Sequence, residues 1–214
     1  MNEPVAIAVL AKAPVAGFAK TRLIPVLGPH GAAVLQARLL ERAVTSACAA
    51  AVGPVTLWAT PDERHPVFQS IAAQLGIKLV RQGEGDLGAR MLTAVAAAKS
   101  PALVIGADCP VLTLHHLRIA AQILRAGDDA VVIPAEDGGY ALIGLRTPER
   151  ALFVDMPWST PVVMAETRRR FRELGLTWQE PVTLWDVDRP QDLQRLREIG
   201  LDQLIPIPSA DQSR

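Results

Sequence analysis

Apolar residues fall along the chain in two rhythms. Short, nearly uninterrupted apolar runs occupy residues 5–10, 55–59, 77–80, 103–107 and 130–134, each the length of a strand buried on both faces. Between them, apolar positions recur at helical spacing. Over residues 29–51 these are Ala33, Leu35, Leu39, Leu40, Ala43, Val44 and Ala47, and Gly53-Pro54 stops the pattern. Further helices are predicted over 62–75, closed by Gly76, from the GEGDLGARM stretch through Ala98, from about Thr113 to Gly127, over 160–174 and over 190–199. A sixth strand at 140–145 follows the fifth after only a short glycine-rich connection, too short for a parallel crossover, so it is expected to run antiparallel. A last strand is expected over 177–184. Strands alternating with helices predict a three-layer α/β/α fold on a mainly parallel, mixed sheet. Ligands of such sheets bind beyond the carboxyl ends of the strands, which directs attention to the loops after the first, third and fourth.

Composition narrows this picture. The chain has 214 residues, half of them apolar and only 4% aromatic, which suits a core of Ala, Val, Leu and Ile. One domain is expected over residues 1–202, with a polar C-terminal tail at 203–214. A formal net charge of zero argues against a nucleic-acid partner. The dense basic run, Arg168–Arg170 with Arg172, lies in a predicted helix and reads as a solvated face. Cys48 and Cys109 lack metal-ligand spacing and need no disulfide. No segment reaches the roughly 18 uninterrupted apolar residues of a membrane span, and no secretory leader pattern precedes the first strand. The expected location is cytoplasmic.

Five stretches carry candidate chemistry. The first, AKAPVAGFAKTRL, follows the first strand and places Lys12, Lys20 and Arg22 around a turn containing Gly17. Cations gathered in one loop repel each other unless something anionic lies between them. Arg22 can grip two phosphate oxygens, whereas Lys12 and Lys20 act as point charges. An ordinary strand-to-helix connection with solvated cations is the other reading, and no Walker A pattern is present. The second is VIGADCP, where Asp108 ends an aliphatic strand at a place suited to a Mg²⁺ or Mn²⁺ ion bridging to a diphosphate, or to a local turn. Third, PAEDGGYALIGL offers Asp137, Gly138, Gly139 and Tyr140 as part of an acceptor pocket, or as a plain hairpin turn. WDVDRPQDL supplies Asp186 and Asp188 two residues apart, as a base or second metal ligand, with Asp188 equally able to cap the helix at Pro190. In GEGDLGARM, Asp86 and Gly88 open a helix where N–H groups could meet a ribose or base, though capping suffices. Trp158-Ser159-Thr160 reads as another cap, with Ser159 an acceptor-site candidate. The four histidines form no metal-ligating spacing, and neither Gly-x-Ser-x-Gly nor Gly-x-Gly-x-x-Gly occurs.

In this order the five stretches resemble a bacterial family of GT-A-like, Rossmann-related glycosyltransferases, itself similar to the molybdenum-cofactor and phospholactate guanylyltransferases. The resemblance spans roughly residues 5–199. It implies a nucleotide-diphospho-sugar transferase (GT-A) fold with the nucleotide over the amino-terminal half of the sheet. It also implies that the Asp108 segment does the work of the family's metal-binding DxD. Here Asp108-Cys109-Pro110 supplies one carboxylate, so a second ligand must come from Asp186, Asp188 or water. The first loop lacks the Gly-x-x-x-Arg of typical nucleotidyltransferases. The implied activity is a Mg²⁺- or Mn²⁺-dependent transferase using a nucleotide or nucleotide-sugar. Glycosyl transfer to an unidentified small acceptor is the leading expectation, with nucleotidyl transfer and noncatalytic nucleotide binding as alternatives. Asp108, Asp186 and Asp188 are the expected catalytic set, with Asp108 and Asp188 on the metal. Lys12, Gly17, Lys20, Arg22, Asp86 and Gly88 are expected on the nucleotide.

Overall fold

A computed structural model describes residues 3–99 and 101–207. Strands β1 (Ala6–Lys12), β2 (Val55–Thr60), β3 (Lys78–Arg81), β4 (Ala102–Ile105), β5 (Ala130–Pro134), β6 (Tyr140–Leu145) and β7 (Trp178–Gln179) form one sheet in the order β3-β2-β1-β4-β6-β5-β7. All neighbours pair in parallel except β6, which runs antiparallel to both β4 and β5, as its short connection predicts.

Successive residues of a strand point to opposite faces, and here both faces are covered. Val5, Ile7, Val9 and Ala11 pack with Leu40, Val44 and Ala47 of α1 (Ile24–Ala50), Phe68 and Ile71 of α2 (Pro66–Leu75), and Leu117, Ala121 and Leu124 of α4 (Leu114–Ala126). Ala6 and Ala8 face the other way, toward Met91, Ala94 and Val95 of α3 (Leu87–Ala98) and Met164 and Phe171 of α5 (Val163–Glu173). This is the three-layer arrangement the periodicity predicts. A third apolar cluster joins Leu23, Leu35 and Leu39 to Val187 and to Leu193 and Leu196 of α6 (Pro190–Glu198), so α6 is riveted onto the outside of α1. The segment Thr21–Ala50 is long and apolar enough on average to cross a membrane. In the fold it is a core helix, broken at Gly28 (φ 68°) and regular from Pro29 onward.

Several boundaries depart from the sequence expectation for local reasons. The last strand shrinks to Trp178–Gln179 plus one bridge between Ala135 and Leu184. Pro181 has no N–H to give a ladder, and Glu180 is drawn to Trp178 Nε1 (2.9 Å) and to Arg168 Nη2 (2.6 Å). Helix α5 starts at Val163 rather than Thr160, whose hydroxyl donates to Pro157 O at 2.6 Å, so Trp158-Ser159-Thr160 does not cap it. Helix α2 starts at Pro66, with His65 Nδ1 accepting from Val67 N, while Asp62 pairs with Arg64. The tail begins later than 203, because Asp202–Leu204 forms a 3₁₀ turn whose Leu204 is buried and whose Gln203 carbonyl accepts from Arg38 at 3.0 Å. Residues 208–214 lie outside the described residues. The basic run in α5 is absorbed structurally. Arg168 pairs with Glu180, Arg169 with Glu166 and Glu173, and Arg170 donates to the carbonyls of Ala151, Val154 and Asp155.

Candidate active site

The carboxyl ends of β1 and β4 are neighbours in the sheet, so the segments leaving them meet. After Lys12 the chain loops through Gly17 (φ 83°) and enters a left-handed residue, Lys20 (φ 47°), which turns the lysine side chain back under the loop. That side chain is 5% exposed. Its ammonium donates to Val187 O at 2.6 Å and stands 2.7 Å from Asp108 Oδ1. The alignment favours the carbonyl: Asp108 Oδ1 is sealed from solvent, has no well-directed hydrogen-bond donor among the described residues, and is held to Lys20 by charge. Val187 N donates to Asp108 O at 2.9 Å, which ties the 186–188 stretch to the end of β4. Arg22, two residues beyond Lys20, pairs with Asp188. Cations from the first loop and acids from two distant segments thus converge.

The electrostatics are unbalanced toward negative charge. The Asp186 carboxyl is pushed up to about 6, first by burial and then by Asp137, Asp108 and Asp188, with Lys20 pulling the other way. Four carboxylates therefore share one neighbourhood. Asp188 does not cap α6. Asp192 takes that part, accepting from Asp188 N (2.9 Å) and Arg189 N (2.7 Å), which leaves the Asp188 side chain to Arg22. An open hollow of about 530 Å³ adjoins this pair, lined by Arg22, Arg189, Pro190, Gln191 and Asp192. Cys109 is buried in the core, and its thiol is pushed up to about 12 by that burial and by Asp186 and Asp108. It is a packing residue.

Divalent cations fit this chemistry. Asp108, whose side chain stays 48% exposed although one of its oxygens is sealed against Lys20, lies beside a second carboxylate that resists ionisation, and a hard cation would relieve both. Among the described residues, no three His, Cys, Asp or Glu side chains form a ready cage. An ion held by Asp108 and a second acid would have to complete its shell with phosphate oxygens and water, as Mg²⁺ does.

The other predicted residues fall into two groups. Lys12 is exposed at the end of β1, and Gly17 stands in open space at the loop tip. Asp86 is the N-cap of α3, its Oδ1 accepting from Ala89 N at 2.8 Å, so capping accounts for it. Gly88 is a packing glycine: a Cβ there would stand 2.5 Å from Phe153 O and 2.8 Å from the Trp158 ring. Gly138 (φ 91°) passes so close to Pro161 that a Cβ would stand 2.1 Å from its carbonyl oxygen. Gly139 N is held by Asp137 Oδ1 at 2.9 Å, the turn reading of that motif. Tyr140 lies edge-on to Trp158 and donates weakly to Met91 Sδ at 3.8 Å; burial raises its phenol far above the ordinary value. Ser159 is exposed and left-handed (φ 63°). Two features have no sequence signature of their own. Trp158 Nε1 is buried without a partner among the described residues, and Gln82 is a buried polar side chain just after β3.

A mixed sheet of this order, with an acid at the end of β4 and cations on the loop after β1, is the architecture of the nucleotide-diphospho-sugar transferase fold. The chain is similar to a candidate nucleotide-diphospho-sugar transferase of known structure from Desulfovibrio desulfuricans G20, with 26% identity, a TM-score of 0.80 and coverage of 96% of this chain and 97% of the other. It belongs to the DUF2064 family, described as uncharacterized protein conserved in bacteria, whose model matches residues 39–160. It is 30% identical over 194 residues to a phosphoenolpyruvate guanylyltransferase of Rubrobacter xylanophilus, covering 88% of this chain and 92% of that one. A 3-phospho-D-glycerate guanylyltransferase of Phenylobacterium zucineum is 29% identical over 189 residues, covering 81% of this chain and 82% of that one. The protein is an enzyme of the nucleotidyl- and glycosyltransferase kind.

Proposed function

We propose that the protein is a nucleotidyltransferase acting on a small phosphorylated acceptor, in place of the glycosyl transfer that leads the sequence reading. An oxygen of the acceptor phosphate attacks the α-phosphorus of a nucleoside triphosphate. The new O–P bond forms as the bond from the α-phosphorus to the bridging oxygen breaks, and pyrophosphate leaves with that electron pair. The observation that carries this reading is the meeting of Lys20 and Arg22 with Asp108 and Asp188, in a chain similar over most of its length to two guanylyltransferases.

The residues suit that chemistry. An ammonium has three donors; Lys20 directs one at Val187 O and holds Asp108 beside it by charge, which leaves donors for a phosphate oxygen while its position stays fixed. The Arg22 side chain is 65% exposed and offers further guanidinium N–H groups for a second phosphate oxygen. Fixed charges aimed where negative charge develops are the usual source of rate in phosphoryl-type transfer. Asp108 would hold a Mg²⁺ or Mn²⁺ ion together with Asp186, since Asp188 is engaged by Arg22. When bound, such an ion neutralises charge on the departing diphosphate. Two free cysteines suit a reducing, cytoplasmic setting.

Glycosyl transfer from a nucleotide-sugar remains the second reading, favoured by the absence of Gly-x-x-x-Arg from the first loop. Products separate the two. Incubation with nucleoside triphosphates and phosphorylated three-carbon acids is expected to release pyrophosphate in an Mg²⁺- or Mn²⁺-dependent way. Release of a nucleoside diphosphate from nucleotide-sugars, with no pyrophosphate from any triphosphate, would overturn the proposal in favour of glycosyl transfer.

A further inference from the structure

Two of the four carboxylates, Asp137 and Asp186, reach the site on different segments. Asp137 follows Glu136 in the turn after β5, and Asp186 follows Trp185 on the way to α6. Burial apart, Asp137 is the foremost influence opposing ionisation of Asp186. Like charges push such segments apart. Backbone bonds resist that only part of the way: Leu184 N donates to Pro134 O and Glu136 N to Leu184 O, both at 2.9 Å, and among the described residues these are the last to join the two segments. Both acids lie beyond them.

Arg195, on α6, spans that gap. Its guanidinium forks onto Glu136, with Nη1 donating to Oε2 at 2.8 Å and Nη2 to Oε1 at 2.9 Å, and its Cζ stands 4.1 Å from the centroid of the Trp185 ring. One side chain thus holds the residue before each acid. Trp185 is itself packed against the third apolar cluster, so the arginine works against a fixed surface. Three residues earlier, on the same side of α6, Asp192 accepts from Asp188 N and Arg189 N. The stretch 185–189 is therefore held at both ends by one turn of helix, and Arg195 carries that hold across to Glu136. The Arg195 and Glu136 side chains are 37% and 53% exposed, so as an ion pair they add little to stability. What the contact determines is where its neighbours stand.

We propose that Arg195 is a positioning residue, which holds Asp137 and Asp186 at the spacing a divalent cation needs while touching neither the cation nor the substrate. This rests on the reading of these acids as a Mg²⁺ or Mn²⁺ site, and adds to it the residue that shapes the site from outside. The plain field of a nearby guanidinium has the opposite sign. Positive charge repels Mn²⁺, so by charge alone the loss of Arg195 would tighten Mn²⁺ binding, whereas the loss of a positioning contact loosens it. Lysine keeps the charge but is a point donor, unable to fork onto a carboxylate while lying flat on an indole.

The test measures Mn²⁺ binding to the full chain by water-proton relaxation, with Mn²⁺ alone and with each of GTP, UTP, ATP and CTP, and follows each variant by urea unfolding. Arg195→Met is expected to weaken Mn²⁺ binding roughly tenfold. Its unfolding midpoint should move no further than that of Arg169→Met, which removes exposed ion pairs on α5 and leaves Mn²⁺ binding as in the wild type. Arg195→Lys should lose nearly as much as Arg195→Met. Glu136→Gln should weaken binding too, and the double variant Glu136→Gln/Arg195→Met should be no worse than Arg195→Met, since both changes break one contact. Unchanged or tighter Mn²⁺ binding by Arg195→Met, or full recovery with lysine, overturns the role of Arg195 while leaving the cation site in place. Absence of Mn²⁺ binding by the wild type under every one of these conditions overturns the cation reading and the inference together.

Discussion

The two ends of the sheet use their charges differently. At the amino end, Arg118 donates to the carbonyls of Ala49 (3.1 Å) and Ala50 (3.0 Å), and Arg125 to those of Glu3 and Val52 (both 2.8 Å). Those guanidiniums are committed to the last turn of α1 and the chain entering β1, where a helix C-terminus leaves carbonyls in need of donors. At the carboxyl end, Lys20 and Arg22 meet four carboxylates that are not fully neutralised, as the raised Asp186 shows. A hollow lined by two arginines exists at each end, about 280 Å³ beside Arg118 and Arg125 and about 530 Å³ beside Arg22 and Arg189. The lesson is that a cavity with cations does not identify a site; charge left uncompensated by the fold does.

The contrast can be broken in several ways, beginning with the largest effect. Asp108→Asn should lower turnover about a thousandfold with only a small change in melting temperature, because relief of the repulsion with Asp186 offsets the charge lost beside Lys20. A modest loss of rate would return Asp108 to the role of a turn residue. Next comes pH. The folded-state value of Asp186 is raised above that of the unfolded chain, so its contribution to stability is present at low pH and lost as pH climbs from about 4 through about 6. The loss is about 3 kcal/mol at most, readable in urea unfolding across that window. Asp186→Asn should flatten the slope. Lys20→Met should cost about a hundredfold in kcat/KM and about 2 kcal/mol of stability, since a buried ammonium leaves Val187 O and Asp108 without their partner. Arg118→Ala, the control from the opposite end, should cost only about 1 kcal/mol in the same unfolding experiment and leave kcat/KM unchanged.

Much of the architecture was legible because periodicity reports burial. The doubly covered strands read as continuous apolar runs, and the antiparallel β6 followed from a connection too short to cross over. Boundaries slipped where a side chain outcompeted the backbone, as with Glu180 beside Pro181 or Thr160 bonded to Pro157 O. For the site, the sequence exposed the cations after β1 and the acid after β4, since both stand at strand ends. It left open whether Asp188 caps a helix or serves as a base or metal ligand, and its pairing with Arg22 was in neither reading, because that contact joins residues far apart in the chain while Asp192 takes the cap. Gln82 was invisible for a different reason. Its side-chain nitrogen donates to the carbonyls of Trp58 and Ala11 on other strands, and nothing local marks a residue held by distant backbone. Gly88 and Gly138 illustrate the converse: glycine motifs that suggest a ligand's approach but admit a neighbouring chain segment instead.

Hydrogen exchange with and without a saturating nucleoside triphosphate and Mg²⁺ tests the central claim most directly, because it maps where the ligand sits. Slowed exchange is expected in residues 13–22, 82–88, 106–110 and 186–190, with residues 49–54 and 118–126 unchanged. Protection confined to the amino end of the sheet, or none anywhere along the chain, would contradict the account.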